Sequence, residues 1–392
     1  MSENDIDFND TSIAFAGKTN WQLRKAKFIF ETMKKPWMVT LGTRLTLEAL
    51  KLHLPVKGLI RGTLFQQFCG GESIEKCRDT IDQLGKFNVQ TILDYSVEGQ
   101  ETEESFDRTL QEALRVVEFA HGEKNIAFCV IKLTGLGSAV LMEKRQQRQN
   151  MSQEEEIQYE KFEKRAHQLA AAAAEKGLKF MIDAEESWIQ DEIDRIAYDL
   201  MRIHNQSEPV VFNTYQLYRH QALPNMQKAF DRLRLEGVYF GAKIVRGAYM
   251  EKERERASKL NYSDPIQSTK EDTDKDYDKA IDFALDHLEQ FSVCAGTHNE
   301  RSSAYLASQV VARNIDKSDP RVFFAQLLGM SDNISFKLSK MGFNVAKYVP
   351  YGPVEKVLPY LFRRAEENTS ISGQSGRELA LLESEVIRRH SK

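Results

Sequence analysis

A (β/α)8 barrel of the TIM type preceded by a helical arm is the fold this sequence predicts, and three observations predict it. From Asn88 onward, short apolar runs and helical stretches alternate eight times. The runs are continuously apolar, as parallel strands buried on both faces require. The alternating region, residues 88 to 368, is close to the usual ~250 residues of such a barrel. An open doubly wound sheet more often stops at about five to seven strands.

Residues 1–88 carry no strand pattern and read as a helical arm, with helices over Asn20–Lys35, Leu41–Lys51 and Ser73–Gly85, the last with Ser73 as N-cap. Gly70-Gly71 reads as a turn. The barrel spans 89–370. Its strands are expected at Val89–Tyr95, Ile126–Leu133, Leu178–Ile182, Pro209–Phe212, Val238–Val245, Ser292–Ala295, Arg321–Ala325 and Val345–Val349. Helices follow at about Glu103–His121, up to Lys176, Trp188–His204, up to Glu236, Thr269–Glu289, up to Asn314, up to Met341, and after Pro353. The stretch from Leu141 to Arg165 is rich in Gln, Glu, Lys and Arg and reads as a solvated helix or mobile insertion without chemistry. Gly135-Leu136-Gly137-Ser138-Ala139-Val140 follows a strand, but no acid closes a second strand about 20 residues later, so it is a loop and not a dinucleotide fingerprint. Residues 371–392 form a last amphipathic helix, which either lies on a bilayer or packs on the barrel.

Composition narrows the function. The 392 residues are 41% apolar and 29% charged, with a formal charge of −4, and no basic stripe recommends nucleic acid as a partner. Mean hydropathy is −0.49, and no apolar run approaches the roughly 18 residues that span a bilayer. The acidic start, Met-Ser-Glu-Asn-Asp, lacks the features of a secretory or mitochondrial leader, so the expected location is cytoplasmic. Cys69, Cys77, Cys129 and Cys294 are scattered and the eight histidines form no paired motif, so neither disulfide nor metal is expected.

In a barrel the chemistry sits at the C-terminal ends of the strands. The polar residues there are Asp94, Lys132, Asp183, Glu185, Asn213, Lys243, Arg246, His298 and Gln326. Each alone reads as a solvated rim residue, but strand ends converge on one mouth. After the eighth strand, Tyr360, Arg363, Arg364 and Glu367 fall at i, i+3, i+4 and i+7 on one helix face. Adjacent guanidiniums suit a carboxylate or phosphate. A charge-paired surface helix is the alternative, and Arg388-Arg389 reads as only that.

The phrases Val130-Ile-Lys-Leu-Thr134, Ile182-Asp-Ala-Glu-Glu186, Lys243-Ile-Val-Arg-Gly-Ala-Tyr249, Thr297-His-Asn299, Gln326-Leu-Leu-Gly-Met330, Tyr351-Gly-Pro-Val354 and Tyr360-Leu-Phe-Arg-Arg-Ala-Glu-Glu-Asn368 stand in order on successive strands. Together they resemble proline dehydrogenase, in its single-activity, mitochondrial-like branch with no aldehyde dehydrogenase domain in cis. The resemblance covers at least 88–370, with Pro55-Val-Lys-Gly-Leu-Ile-Arg61 in the arm also fitting. It implies FAD-dependent oxidation of L-proline to Δ1-pyrroline-5-carboxylate by hydride transfer to flavin N5, with electrons passed to a quinone and peripheral contact at the inner face of the membrane. Position by position, it implies that Arg363, Arg364 and Lys132 hold the substrate carboxylate, that Tyr351 and Tyr360 wall the pocket, and that Glu367 orients the arginine pair. Asp183 and Asp94 match carboxylates that support this network. The implied cofactor-binding positions are Asp94, Asn213, Lys243, Arg246, Ala248, Tyr249, Thr297, His298, Asn299 and Gln326. Two residues depart from many bacterial members, which carry arginine at the Lys243 position and glutamine at the Asn213 position.

Two other readings stay open. The same scaffold would serve 4-hydroxyproline. A Schiff-base lyase using Lys132 or Lys243 is the competing reaction class, since strand-end lysines in barrels do that work in aldolases.

Overall fold

In the computed structural model, which describes residues 6–52, 56–97, 101–370 and 374–391 (apart from the side chains at 47, 50, 51, 366–370, 374 and 375), the chain begins with a run of helices. These are α1 (Thr11–Ala14), α2 (Asn20–Met33), α3 (Pro36–Lys51), α4 (Lys57–Ile60), α5 (Gln66–Phe68) and α6 (Arg78–Gly85). A capping box between Thr19 and Gln22 starts α2 where expected. Helix α3 starts earlier than the apolar pattern suggests, because Pro36 suits a first helical position that needs no amide donor. Ser73 is not an N-cap: a 3-10 turn over Glu75–Cys77 precedes α6, and the Ser73 hydroxyl donates to Glu75 at 2.7 Å.

Eight strands close into a parallel barrel in sequence order: β1 (Val89–Tyr95), β2 (Ile126–Ile131), β3 (Phe180–Ile182), β4 (Val211–Gln216), β5 (Phe240–Val245), β6 (Phe291–Gly296), β7 (Val322–Leu327) and β8 (Val345–Tyr351). The closing pair sets Ile92 beside Tyr348 and Asp94 beside Pro350. Around it run α7 (Glu103–Ala120), α8 (Ala139–Gln146), α9 (Gln153–Glu175), α10 (Ser187–His204), α11 (Ala222–Leu235), α12 (Met250–Leu260), α13 (Lys270–Asp286), α14 (Glu300–Ala312), α15 (Asp332–Lys340) and α16 (Leu358–Ser370). Helix α12 is not among the expected helices, because its Glu/Lys/Arg-rich surface hides a thin apolar stripe. The 141–165 stretch is an ordered pair, α8 and α9. A Ser152–Glu155 capping box and ion pairs from Lys144 and Arg145 to Glu155 and Glu156 join them.

Period-two alternation sorts the strand residues into two sets. Outward residues such as Leu93, Ile182, Ile244 and Val349 pack under the helices. Inward residues fill the barrel floor, where Phe128 meets Phe212 and Phe323 edge-on at 5.2 and 5.0 Å. That plug closes the bottom, so the open end lies at the C-terminal mouth. Gly70-Gly71 forms one lip of this mouth. The Gly70 amide donates to Pro350 at 2.8 Å, and a Cβ there would sit 2.5 Å from Val349, so the close approach requires glycine.

The last helix, α17 (Gln374–His390), returns to the arm and packs on α2 and α1. Leu379, Leu381 and Leu382 are buried there, so the apolar face is covered by protein and not by a bilayer. Arg389 donates to Glu385 and to the carbonyls of Phe15 and Lys18, a structural role as expected. Beside this seam lies a buried charge cluster. Lys347 of β8, fully buried, meets Asp332 at 2.9 Å; Lys18 of the arm meets the same carboxylate at 3.1 Å; and Glu378 accepts the Ser331 amide. Burial, helped by Asp332, pushes the Glu378 carboxyl up to about 7. The folded protein therefore holds that proton longer than the unfolded chain does. The resulting penalty appears as pH rises from about 4.5 to 7 and is complete above 7. Glu378→Gln keeps the acceptor for Ser331 without the charge. It should be more stable than wild type at pH 8, by up to on the order of 3 kcal/mol, and nearly equal to it at pH 4.5, as read by urea unfolding at the two pH values.

Candidate active site

Side chains entering the mouth are those whose strand parity matches the inward set. Asp183, the residue after β3, is central. Its Oδ2 accepts from Lys132 Nζ at 2.9 Å and from the Tyr348 hydroxyl at 2.8 Å, while Oδ1 pairs with Lys243 Nζ. Burial alone would raise its pKa, but Lys243 and Lys132 hold it well below the carboxylate range. Burial works against charge on Lys132 too. Asp94, Tyr348 and Asp183 more than offset it and keep the ammonium well above its ordinary pKa. Lys243 lies 5.2 Å from the Tyr348 ring centre, so that ring is flanked by both ammonium groups. Asp94 closes the ring of partners from β1 and accepts from Ser96.

Glu185 lies two residues further along the same loop. It takes the Thr134 amide at 3.1 Å and the Thr134 hydroxyl, tying the loop after Lys132 to the loop after β3. Its burial raises the carboxyl to about 7. From β4, Gln216 donates to the Glu185 carbonyl at 2.7 Å and accepts the Ala248 amide at 3.0 Å, so it sutures three loops. Tyr249 follows at the rim, where burial pushes its phenol up against the pull of Lys132, with Glu185 nearby.

Strands β5 and β6 supply a second group of donors. Arg246 is held by Asp274 at 2.7 Å, Thr297 at 2.7 Å and Ser302 at 2.9 Å, and it stacks on Tyr277 at 4.5 Å. Asn299 caps α14 through Ser302. His298 bonds through Nδ1 with the Ser331 hydroxyl at 2.9 Å. Burial, reinforced by Lys347, Arg364 and Arg246, pushes His298 down to about 3, so the ring is neutral. A neutral imidazole beside fixed cations, an amide and a helix N-terminus could hold a large group with anionic and carbonyl oxygens. Among the described residues, no three His, Cys, Asp or Glu side chains are grouped to hold a metal ion.

Helix α16 brings the remaining residues. Tyr360 is buried, and the Arg364 guanidinium lies 5.4 Å from its ring centre. Arg364 is close enough to act on His298, which ties α16 to the end of β6. Arg363 lies beside it, half-buried. The side chain of Glu367 lies outside the described residues.

Three expected positions do not reach the mouth. Asn213 faces outward and donates to Asp194 of α10 at 2.8 Å. Gln326 faces outward between the Thr297 carbonyl at 3.2 Å and the Ser335 hydroxyl at 2.7 Å. Tyr351 faces outward, fully buried, and donates to Glu112 of α7 at 2.9 Å. For Asn213 and Gln326 the cause is that β4 and β7 run four and two residues beyond their expected ends, so the residues next to those ends fall on the outward parity; Tyr351, taken from the resemblance, is the last residue of β8 and falls on its outward parity. The residues that reach the mouth instead are Gln216 and Tyr348, which strand alternation counted inward from Phe212 and Ala346 would have found.

A family model described as proline dehydrogenase matches residues 77–377. The carbapenem antibiotics biosynthesis protein CarD of Pectobacterium carotovorum subsp. carotovorum is 34% identical over 89% of this chain and 92% of its own length. Mitochondrial proline dehydrogenase 1 of Homo sapiens is 42% identical over 61% of this chain, a match that spans 40% of the human protein. Among solved structures, proline utilization A (PutA) from Bdellovibrio bacteriovorus, inactivated by N-propargylglycine, superposes with a TM-score of 0.72 at 17% identity. It covers 94% of this chain and 37% of that one, and establishes the shared barrel. With the barrel, its strand-end motifs and these matches in agreement, the chain belongs to the proline dehydrogenase family.

Proposed function

We propose that the chain oxidises L-proline to Δ1-pyrroline-5-carboxylate with FAD bound in the barrel mouth, the electrons leaving to a quinone. The observation that carries the reading is the single Asp183 carboxylate shared by Lys132, Lys243 and Tyr348. It fixes two cations and an aromatic ring together at the strand ends, and in this reading α16 adds two more cations.

In this reading Arg363 and Arg364 clamp the proline carboxylate with Lys132, and Tyr348 and Tyr360 pack the ring. Losing a hydride from the carbon next to nitrogen requires the lone pair on nitrogen, so the substrate amine must be neutral. Nearby cations lower an ammonium pKa and favour that form. The C–H bond breaks with its electron pair, the nitrogen lone pair forms C=N, and the N–H proton leaves to solvent. Little acid–base work is asked of the protein beyond positioning. Lys243, Arg246, Gln216 and His298 are the groups that would hold the flavin nucleotide, whose contribution when bound is to accept two electrons. The donor set fits: cations for the phosphates, an amide and a neutral imidazole for the ring carbonyls and sugar.

The lyase reading needs a neutral, nucleophilic lysine. Lys132 is instead held as an ammonium, and Lys243 is buried against Asp183. Purified protein should be yellow, with its flavin absorption bleached by proline under anaerobic conditions. A colourless protein that borohydride traps on a carbonyl substrate would reverse the assignment. A parallel run with 4-hydroxyproline ranks the two substrates.

Arg363→Met and Arg364→Met should each raise KM for proline by about 10- to 100-fold, the cost of one charge-assisted hydrogen bond, while flavin absorbance per protein stays as in wild type. Wild-type kinetics in both would refute the clamp. Tyr348→Phe should lower kcat/KM for proline by about tenfold. Tyr351→Phe, a change outside the mouth, should leave kinetics with an artificial acceptor unchanged. The opposite pattern would show that the inward residue of β8 has been misassigned.

A further inference from the structure

One serine in the fold does not do what its position asks of it. Ser331 directly precedes α15, where a serine ordinarily has extended backbone and caps the helix by accepting an amide of the first turn. Here it stands in the left-handed region, at φ 50° and ψ 43°, and its hydroxyl takes no amide of the helix. A serine is disfavoured in that region, and the missing cap is a second loss. Strain of this kind persists only where the surroundings impose it, and it collects at functional sites.

Three elements impose it. Gln67 of α5 donates to the Gly329 carbonyl at 2.8 Å, and its own carbonyl comes so near that a Cβ on Gly329 would collide with it. Lys347 of β8 donates to the Met330 carbonyl and pairs with Asp332 at 2.9 Å. Glu378 of α17 accepts the Ser331 amide. In a capping box that amide would go to a Glu or Gln three residues into the helix, but the residue there is Ile334. A carboxyl group from the last helix of the chain takes its place.

The result is a hydroxyl turned from the helix to His298, where it meets Nδ1 at 2.9 Å. The charged groups nearest this imidazole, Lys347, Arg364 and Arg246, offer donors only. A neutral ring has one donor nitrogen and one acceptor, and the hydrogen bond at Nδ1 sets which role is left to Nε2. Ser331 can serve either role at Nδ1, because a hydroxyl both donates and accepts.

We propose that Ser331 is a positioning residue that acts through His298, fixing the orientation and tautomer of the ring for the flavin nucleotide. The inference rests on the reading of His298 as a flavin contact. It adds that the arm and the last helix, through Gln67 and Glu378, bear on the cofactor half of the mouth by way of one strained serine.

A double-mutant cycle on FAD affinity tests it, with Kd read from the flavin that full-length holoprotein releases on serial dilution. Ser331→Gly removes the hydroxyl yet suits the left-handed backbone, so the turn keeps its shape and the circular dichroism its wild-type form. It should raise Kd for FAD by about tenfold. His298→Ala should raise it at least as much. Because Ser331 acts through the ring, the double substitution should bind FAD no more weakly than His298→Ala alone. A general loosening of the turn would instead make the two losses add. Additive losses, or wild-type affinity in Ser331→Gly, overturn the positioning role and leave His298 as a flavin contact. Wild-type affinity in His298→Ala, or wild-type protein that holds no FAD, overturns the reading of His298 itself and the inference with it.

Discussion

A buried carboxylate between two lysines is the constraint on which the rest of the site depends. Burial would neutralise Asp183 without Lys132 and Lys243, and Lys243 is buried against that same carboxylate. Three separate strands deliver the three charges, so the barrel's closure and register decide whether the site exists. The register that pairs Ile182 with Asn213 and Thr214 with Lys243 keeps Asp183 and Lys243 on the same inward parity across an intervening strand. The aromatic plug of Phe128, Phe212 and Phe323 beneath them keeps the floor dry, which strengthens each attraction above it.

That dependence explains what could be read from the sequence and what could not. Eight apolar runs alternating with helices are a long-range signal, and the barrel follows from it whether or not each boundary is right. The charged centre was also legible, because Asp183 comes immediately after its apolar run while Lys132 and Lys243 interrupt theirs near the C-terminal end. Strands β4 and β7 continue through polar residues beyond their apolar runs, as Asn213, Thr214, Gln216 and Gln326 show. There the apolar run marks only the lower half of the strand, and an end placed early exchanges inward for outward residues. Tyr351 reads as a pocket wall only through the resemblance and serves Glu112 instead, while Tyr348 lies within an apolar run where parity alone marks it as inward. Helix α12 escaped for a related reason: a helix with polar residues nearly all round has no strong period to find.

The arm is organised by a second balance of the same kind. Helix α17 covers one side of α2, and α16 covers one side of α3. The amphipathic C-terminal segment, which by pattern alone was as good a bilayer helix as a packing helix, is committed to packing by Leu379, Leu381 and Leu382. Its ion pairs and the Lys347–Asp332–Lys18 contacts lock the end of the chain to its beginning around β8. The consequence is geometric: with the inner sides of α2 and α3 buried, Trp21, Phe28, Trp37, Leu41 and Leu45 are left exposed.

The two balances meet at α16. Its Arg364 acts electrostatically on His298 at the end of β6. Its outer side carries Leu358, Leu361 and Ala365 against the arm. A helix held from both sides couples them by linkage, since any placement that one side favours must be accommodated by the other. For an enzyme whose chemistry is mostly positioning, this coupling matters more than any single strong acid or base. In the proposed reading, the cations that would hold the carboxylate would also favour the neutral amine from which a hydride leaves, so binding and activation would draw on one set of charges. A device of that kind tolerates little movement of its upper half, and the arm packed on α16 supplies the restraint.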